Sequence, residues 1–214
     1  MPSFKIRRLC LAALFVFAGL SLFAAPASGQ LSLERVAELL SKSKVTRGQF
    51  VLERTAANGK SLKSSGDFVI ASDNGIIWKT TKPIKSTQVV AKEFSLTESA
   101  GGKRVKADAG KNPVYKQMAL LTSSLWQGDL SAAQETADIK FRSEENLWQI
   151  EMFPKDQAVQ MALEKIVVNG KVEGGQAFAM TMQMFLKGGN TACYKMSGHS
   201  FAERLSESEQ AYFD

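Results

Sequence analysis

The chain has 214 residues, a length near that of one domain, and 44% of them are hydrophobic. Its 27 basic and 21 acidic residues give a formal charge of +6, too mild to indicate nucleic-acid binding. One histidine and two cysteines argue against zinc and against a fold held by several disulfides.

The first 29 residues predict a secretory signal peptide. A basic start at Lys5–Arg8 precedes the uncharged apolar run Leu9–Phe23, and small residues up to Gly29 suit cleavage. An uncleaved membrane anchor is the alternative, but the run is shorter than the roughly 20 residues that a membrane span needs. We therefore expect a soluble, exported protein.

Residues 30–214 then form a single predicted domain. Removing three of the 27 cations and none of the 21 anions lowers the formal charge from +6 to +3. Cys10 leaves with the signal peptide, so Cys193 has no partner for an intramolecular disulfide. A domain of this length has ample sequence for a sizeable core without one.

The first half of this domain predicts a short amphipathic helix over Leu31–Ser43 followed by an antiparallel meander. Arg47–Pro83 holds three apolar runs separated by two turns that each contain Asn-Gly, the strongest short hairpin signal. The predicted strands centre on Gln49–Leu52, Phe68–Ala71, Ile76–Trp78, Ser86–Glu98 and Lys103–Ala107, and the fourth is predicted to have an irregularity near Lys92.

In the second half, Pro113 begins a helix whose apolar stripe runs through Val114–Gln127, and Leu130–Thr136 adds further helical turns. A second meander follows. Its predicted strands are Asp138–Arg142, Leu147–Phe153, Ala158–Val168, Ala177–Leu186 and Cys193–Met196. Asn169-Gly170 predicts a hairpin turn, and Ser206–Asp214 a frayed tail. The fold class is mainly β (α+β), with about ten or eleven antiparallel strands.

The sequence contains no recognisable catalytic motif. His199 stands in a loop-like sequence without a nucleophile motif, so we expect no enzyme, metal or cofactor. An enzyme acting on lipids stays open as an alternative and would need His199 beside a serine.

The other pattern in the sequence is a set of apolar residues that share one face of the predicted strands and helices. Such stripes usually form a core, but alternating methionines are softer than a rigid core needs and also suit variable apolar ligands. The candidate lipid-binding residues are Phe50, Leu52, Phe68, Ile70, Ile76, Trp78, Phe94, Leu96, Met118, Leu121, Leu125, Met161, Leu163, Phe178, Met180, Met182 and Met184.

The stretch Arg47–Pro83 resembles the periplasmic outer-membrane lipoprotein carriers of the LolA type. The shared pattern is a helix, an F-x-Q-like strand, a turn, an S-x-G strand and a strand that ends in Trp and then Pro. The matching residues here are Phe50, Ser65, Gly66, Trp78 and Pro83.

The resemblance implies an unclosed β-barrel whose helices cover an apolar cavity. It implies an acylated lipoprotein or other lipid as cargo, an inner-membrane transporter as donor, an outer-membrane acceptor and transient membrane contact. Val114–Trp126 is the candidate lid, with Leu31–Leu40 as a second cover.

This sequence departs from the family where an Arg-Pro pair is usual, since Ser72-Asp73 stands there. The cargo therefore stays open between a lipoprotein and another lipid, such as a glycolipid or a polyene ester. A different class of function, an exported β-rich interaction module with a filled core, would leave no space of a few hundred Å³ between sheet and helices.

Overall fold

The computed structural model describes residues 30–108, 119–120 and 123–214. The predicted signal peptide and two candidate site residues, Met118 and Leu121, lie outside this part. No helix within the described ranges is both long and apolar enough to cross a membrane.

Eleven strands form the body of the protein. They are β1 (Val45–Thr55), β2 (Ser61–Ala71), β3 (Gly75–Lys82), β4 (Ser86–Ala91), β5 (Phe94–Ser99), β6 (Arg104–Asp108), β7 (Ala137–Glu144), β8 (Leu147–Pro154), β9 (Leu163–Glu173), β10 (Gln176–Leu186) and β11 (Thr191–Ala202). The helices are α1 (Leu33–Ser41), α2 (Leu130–Thr136), α3 (Gln157–Gln160) and α4 (Glu207–Gln210), besides helical residues at 119–120 and 123–127.

All eleven strands belong to one antiparallel sheet in the order β6-β5-β4-β3-β2-β1-β11-β10-β9-β8-β7. The first and last strands of the chain pair with each other, so β1 and β11 join two meanders at the centre. The outermost strands β6 and β7 are not neighbours, which leaves the sheet open. The predicted class, a curved antiparallel sheet that does not close into a barrel, is confirmed.

The two Asn-Gly turns of the first meander are confirmed as hairpins. Gly59 has φ +80° in the turn between β1 and β2, and Gly75, the first residue of β3, has φ +139°. Both values lie in the region that glycine reaches without steric cost. The predicted strand Ser86–Glu98 is two strands, β4 and β5, because the irregularity predicted near Lys92 is a full turn at Lys92-Glu93.

The hairpin predicted at Asn169-Gly170 is also wrong, since both residues lie inside β9. Gly170 instead allows the Trp148 ring to pack closely against the backbone of β9. A Cβ on this residue would lie 2.1 Å from Cζ2 of Trp148 and 2.1 Å from the carbonyl oxygen of Phe178. The chain turns instead at Gly174 and Gly175, which both have positive φ.

The predicted strand Ala158–Val168 begins later than expected. Asp156 accepts a hydrogen bond from the backbone N–H of Val159 at 3.0 Å and caps the short helix α3. Met161 follows this helix and is 76% exposed. Its prediction as a cavity residue beside Leu163 is therefore wrong, because a local cap replaces the strand alternation.

The C-terminal tail is ordered as a small helix, contrary to the prediction of fraying. Ser206 and Glu209 form a reciprocal capping box at the start of α4. Tyr212 and Phe213 beyond it pack against a small cluster on one face of the sheet. The tail therefore covers apolar surface that the sequence pattern did not assign to it.

The sheet has two unequal faces. The face on which α1 lies, here called the inner face, carries the main core, and Val36, Leu39 and Leu40 of α1 are buried against it. Ser143 of β7 donates a hydrogen bond to the Leu31 carbonyl at 2.8 Å and holds the start of α1 there. The opposite, outer face carries the smaller cluster of Ile77, Val89 and Leu96.

Candidate functional site

Strand register places apolar side chains in continuous rows across the inner face. Because side chains alternate between faces, residues paired across neighbouring strands share one face. One row passes through Leu52, Tyr194, Met182, Val168 and Ile150. The next row towards the hairpin tips consists of Leu62, Arg54, Ala192, Met184, Ile166, Met152 and Ile139.

Four aromatic rings form the centre of this face. The rings of Trp78 and Tyr194 are 4.3 Å apart, Phe50 meets Trp78 edge-on at 5.1 Å, and Phe68 lies 5.8 Å from Trp78. All four are buried. Burial raises the pKa of the Tyr194 hydroxyl, so this group stays protonated and neutral. The centre is therefore uncharged and strongly apolar.

At one end this face is closed by α1 and by the helical residues 123–127, here called the lid segment. Leu125 and Trp126 of the lid segment are buried in the main core. The space between Trp126, Leu40, Ile70 and Met196 measures about 10 Å³, room for about one water molecule. Leu125 and Trp126 therefore occupy the part of the inner face that lies directly beneath the lid segment.

At the other end the inner face opens into a groove of about 650 Å³ between two hairpin tips. The β1–β2 hairpin contributes Leu62, which is 78% exposed, and the β10–β11 hairpin contributes Leu186 and Ala192. Ala192 belongs to the main core, and Leu186 packs against it. The open groove, here called the tip groove, is therefore continuous with the apolar centre.

A side-chain hydrogen bond joins the lid segment to the sheet. Gln127 Nε2 donates to the backbone carbonyl of Ser72 at 2.6 Å. The contact therefore uses a main-chain oxygen of Ser72. Ser72 is in turn fixed by its own N–H, which donates to the Lys44 carbonyl at 3.0 Å.

Ten of the predicted site residues lie in or against the main core of the inner face. They are Phe50, Leu52, Phe68, Ile70, Ile76, Trp78, Leu125, Leu163, Met182 and Met184.

Phe94 and Leu96 require a correction, because they lie on the outer face. Leu96 pairs with Val89, and Val89 pairs with Ile77, so all three face away from Trp78. The Phe94 ring packs against that outer cluster. Since β3 is apolar on both faces, the alternation of β5 alone could not show which face its hydrophobic residues join.

Phe178 and Met180 require a second correction. The prediction placed them in one line with Met182 and Met184, but the β9–β10 register shifts between Ala179 and Thr181. This bulge reverses the alternation. Before it, Ala177 and Ala179 face the main core, while Phe178 contacts the rings of His199 and Phe201 at 5.5 and 5.4 Å.

Several inner-face residues were not predicted as part of the site. Trp148, Ile150 and Met152 alternate along β8, a signal that was visible in the sequence. Tyr194 and Met196 lie within the predicted strand Cys193–Met196 but were not assigned to the site, and Arg54 and Leu62 become neighbours only through strand pairing.

His199 and Cys193 have no catalytic arrangement among the described contacts. His199 Nε2 lies 2.9 Å from the Ala179 carbonyl, which requires this nitrogen to carry the proton and donate it. Burial lowers the pKa of His199 and raises that of the Cys193 thiol, and both shifts favour the neutral forms. Within the described ranges no three His, Cys, Asp or Glu residues cluster as metal ligands would.

Comparison with known proteins gives structural matches. No protein-family model matches the chain, and the search of curated proteins finds no match. A DUF1329 family protein from Desulfovibrio piger aligns with a TM-score of 0.51 and 14% identity, covering 85% of this chain and 94% of the other.

Two further structures align at lower scores. An outer membrane lipoprotein-sorting protein domain from Vibrio parahaemolyticus has a TM-score of 0.47 and 14% identity, over 82% of this chain and 94% of that one. A LolA superfamily protein from Nitrosomonas europaea has a TM-score of 0.43 and 10% identity, over 85% and 95%. The chain thus has the fold of the DUF1329 family protein, and in this chain that fold is an open antiparallel sheet.

Proposed function

We propose that this protein binds the acyl chain of a lipoprotein or another lipid on its inner face and carries it through the periplasm. The observation that supports this most is the continuity of apolar surface from the aromatic centre around Trp78 to the tip groove at Leu62. A sheet that ends in an open apolar groove offers an extended chain a path that a closed core would not.

The energetics explain why such a carrier is needed. Burying one CH₂ group is worth about 0.8 kcal/mol, so exposing a chain of about fifteen carbons to water costs on the order of 12 kcal/mol. That cost blocks unassisted diffusion between membranes. An apolar inner face replaces the bilayer as the surroundings of the chain during transit.

The described arrangement is a closed one, and uptake requires the lid segment to move. An acyl chain would take the place of Leu125 and Trp126 against the sheet, so apolar contacts would be exchanged rather than lost. Met182 and Met184 lie along this path, and their flexible side chains adapt to different chain shapes. The Gln127–Ser72 hydrogen bond is the local restraint on this movement.

The route follows from the expected signal peptide and from the resemblance to LolA-type carriers. Cleavage after Gly29 would release residues 30–214 into the periplasm. The partners would be an inner-membrane transporter as donor and an outer-membrane acceptor, with transient membrane contact at each transfer. A glycolipid or polyene ester remains an alternative cargo on the same face.

A second candidate function is an exported interaction module without cargo. The space of about 10 Å³ beneath Trp126 favours it, because a filled interior is what such a module requires. The two candidates differ in whether the lid segment ever leaves the sheet in the presence of a lipid.

Native mass spectrometry of protein purified from a periplasmic extract without detergent tests the proposal. We expect a bound species with the mass of an acylated molecule, and a fluorescent acyl probe should bind and be displaced by lipid. Protein that carries no lipid and binds no acyl probe would support the interaction module instead.

A matched pair of variants localises the binding. Met184→Gln places an amide on the inner face, whereas Val51→Gln alters a residue on the outer face that is already 45% exposed. Desolvating an unpaired amide is unfavourable, so we expect the first variant to weaken probe binding several-fold and the second to leave it unchanged. Equal binding by both would place the probe elsewhere.

A further inference from the structure

We propose that Arg54 and Lys60 bind the phosphate head of an acyl-bearing lipid at the tip groove, with the acyl chain directed along the inner face. This inference rests on the proposed function and specifies its ligand class. The occupant is a lipid with an anionic phosphodiester head rather than a neutral glyceride.

The first observation is a cation on an apolar row. Strand pairing sets Arg54 between Leu62 on one side and Ala192 on the other, and Met184 follows next to Ala192. Of the seven residues in that row, Arg54 alone is charged. A guanidinium there lies where an apolar surface ends, which is the position that the head of an amphiphile takes.

The second observation is the charge balance of the tip groove. Its lining contains two cations, Arg54 and Lys60, and no carboxylate. Within the described residues neither the Arg54 guanidinium nor the Lys60 ammonium forms an ion pair or a hydrogen bond, and Lys60 bonds to Asn58 only through its backbone N–H. Other lysines near the hairpin tips do have acidic partners: Lys63 lies 3.6 Å from Glu53, and Lys187 lies 3.8 Å from Glu164. The groove therefore carries positive charge that an anion would neutralise.

The third observation is that the two hairpin tips are held together. The backbone N–H of Ala57 donates to Asn190 Oδ1 at 3.2 Å, and Ala56 N–H donates to the Lys60 carbonyl at 2.8 Å. These bonds fix the walls of the groove before a ligand arrives. A preformed site loses less conformational entropy on binding.

The chemistry of the two side chains suits phosphate. A guanidinium donates two parallel hydrogen bonds to a pair of phosphate oxygens, and an ammonium adds a compact charge. Arg54 lies two residues along β1 from Leu52, the pairing partner of Tyr194, so Arg54 and the aromatic centre are on the same face of the sheet. Head and chain sites thus lie on one face.

The test compares two ligands with the same chain. Myristoyl lysophosphatidylglycerol carries the phosphate, and monomyristoylglycerol lacks it; each displaces a neutral fluorescent acyl probe below micelle-forming concentration. Hydrogen bonds to a charged phosphate are stronger than neutral ones, so we expect roughly tenfold or greater preference for the phosphate ligand. The double variant Arg54→Gln, Lys60→Gln should abolish most of this preference.

Lys63→Gln is the matched control, because Lys63 lies on the same hairpin but faces the opposite side and pairs with Glu53. It should retain the preference. Thermal unfolding of all variants checks that they remain folded.

The outcomes separate the two proposals. If the wild type binds both ligands equally, or if the double variant keeps the full preference, the head-group inference fails while the carrier function stands. If the wild type binds neither ligand, the carrier function fails and the inference fails with it.

Discussion

Arg47 on β1 and Glu209 on α4 form a two-pronged ion pair that fastens the C-terminal helix to the sheet. Arg47 Nε donates to Glu209 Oε1 at 2.7 Å, and Nη2 donates to Oε2 at 2.5 Å. Glu209 Oε2 also accepts from the Ser206 N–H at 2.7 Å. Through this pair α4 holds Tyr212 and Phe213 over the outer cluster.

This pair predicts a pH-dependent contribution to stability. Hydrogen bonds from Arg47 lower the pKa of Glu209 from 4.5 to about 2. The unfolded chain binds this proton more tightly than the folded one, so the stabilisation is complete above pH 4.5 and is lost as the pH falls towards 2. Because both groups are partly exposed, we expect Glu209→Gln to cost about 1 kcal/mol at pH 7.

Urea unfolding of the wild type and Glu209→Gln at pH 7, 4.5 and 3 measures this contribution. The difference between the two proteins should shrink as the pH falls. Glu207→Gln is the control, since Glu207 lies on the same helix but Arg47 pairs with Glu209. A difference that is constant across the three pH values would contradict the assignment.

Gly170 is expected to tolerate no side chain. A Cβ there would meet the Trp148 ring and the Phe178 carbonyl, both at 2.1 Å. Overpacking of this kind typically costs 1–3 kcal/mol, so Gly170→Ala should lower the free energy of unfolding by about that amount. Gly101→Ala has open space around its new Cβ and ordinary backbone geometry. Equal stability of the two variants would contradict this packing.

The bulge in β10 predicts opposite behaviour for neighbouring methionines. Met182 is buried in the main core, whereas Met180 lines a shallow pocket with Arg142 and Gln149 on the outer side. Met182→Lys should destabilise the protein by about 3 kcal/mol or more, because it buries an unpaired charge. Met180→Lys should cost less than about 1 kcal/mol. If both variants lost a similar amount of stability in urea unfolding, Met180 and Met182 would face the same side of the sheet, which would contradict the bulge in β10.

The hydrogen bond from Gln127 to Ser72 predicts control of uptake by the lid segment. Gln127→Leu removes the donor and should favour opening by about 1 kcal/mol, or roughly fivefold. Stopped-flow binding of a fluorescent acyl probe should accelerate by that factor. Gln134→Leu, a change on α2, serves as a control. An unchanged rate in Gln127→Leu would mean that this bond does not limit opening.

Much of the sheet follows from local sequence. The Asn-Gly turns at Gly59 and Gly75 fix two hairpins because glycine alone reaches these φ values readily. The same dipeptide misleads at Asn169-Gly170, where Gly170 is needed for Trp148 rather than for a turn. The local sequence therefore shows where the chain is able to turn, while contacts with distant residues decide whether a given glycine forms a turn or allows close packing.

The candidate site was harder to predict than the fold. Phe94 and Leu96 alternate correctly yet join the outer face, since only pairing with Val89 shows the side on which they lie. One extra residue in β10 reverses the facing of Phe178 and Met180. The tip groove unites Leu62, Arg54 and Leu186 from two distant hairpins, which no local pattern contains.

Quenching of tryptophan fluorescence by a brominated acyl chain tests the central claim most directly. Trp78, Trp126 and Trp148 all lie in the main core of the inner face, and bromine quenches only at short range. We expect titration with a dibrominated fatty acid to quench the emission to saturation at one ligand per protein, with no quenching by the unbrominated acid. Emission that does not change with the brominated chain would contradict binding on the inner face.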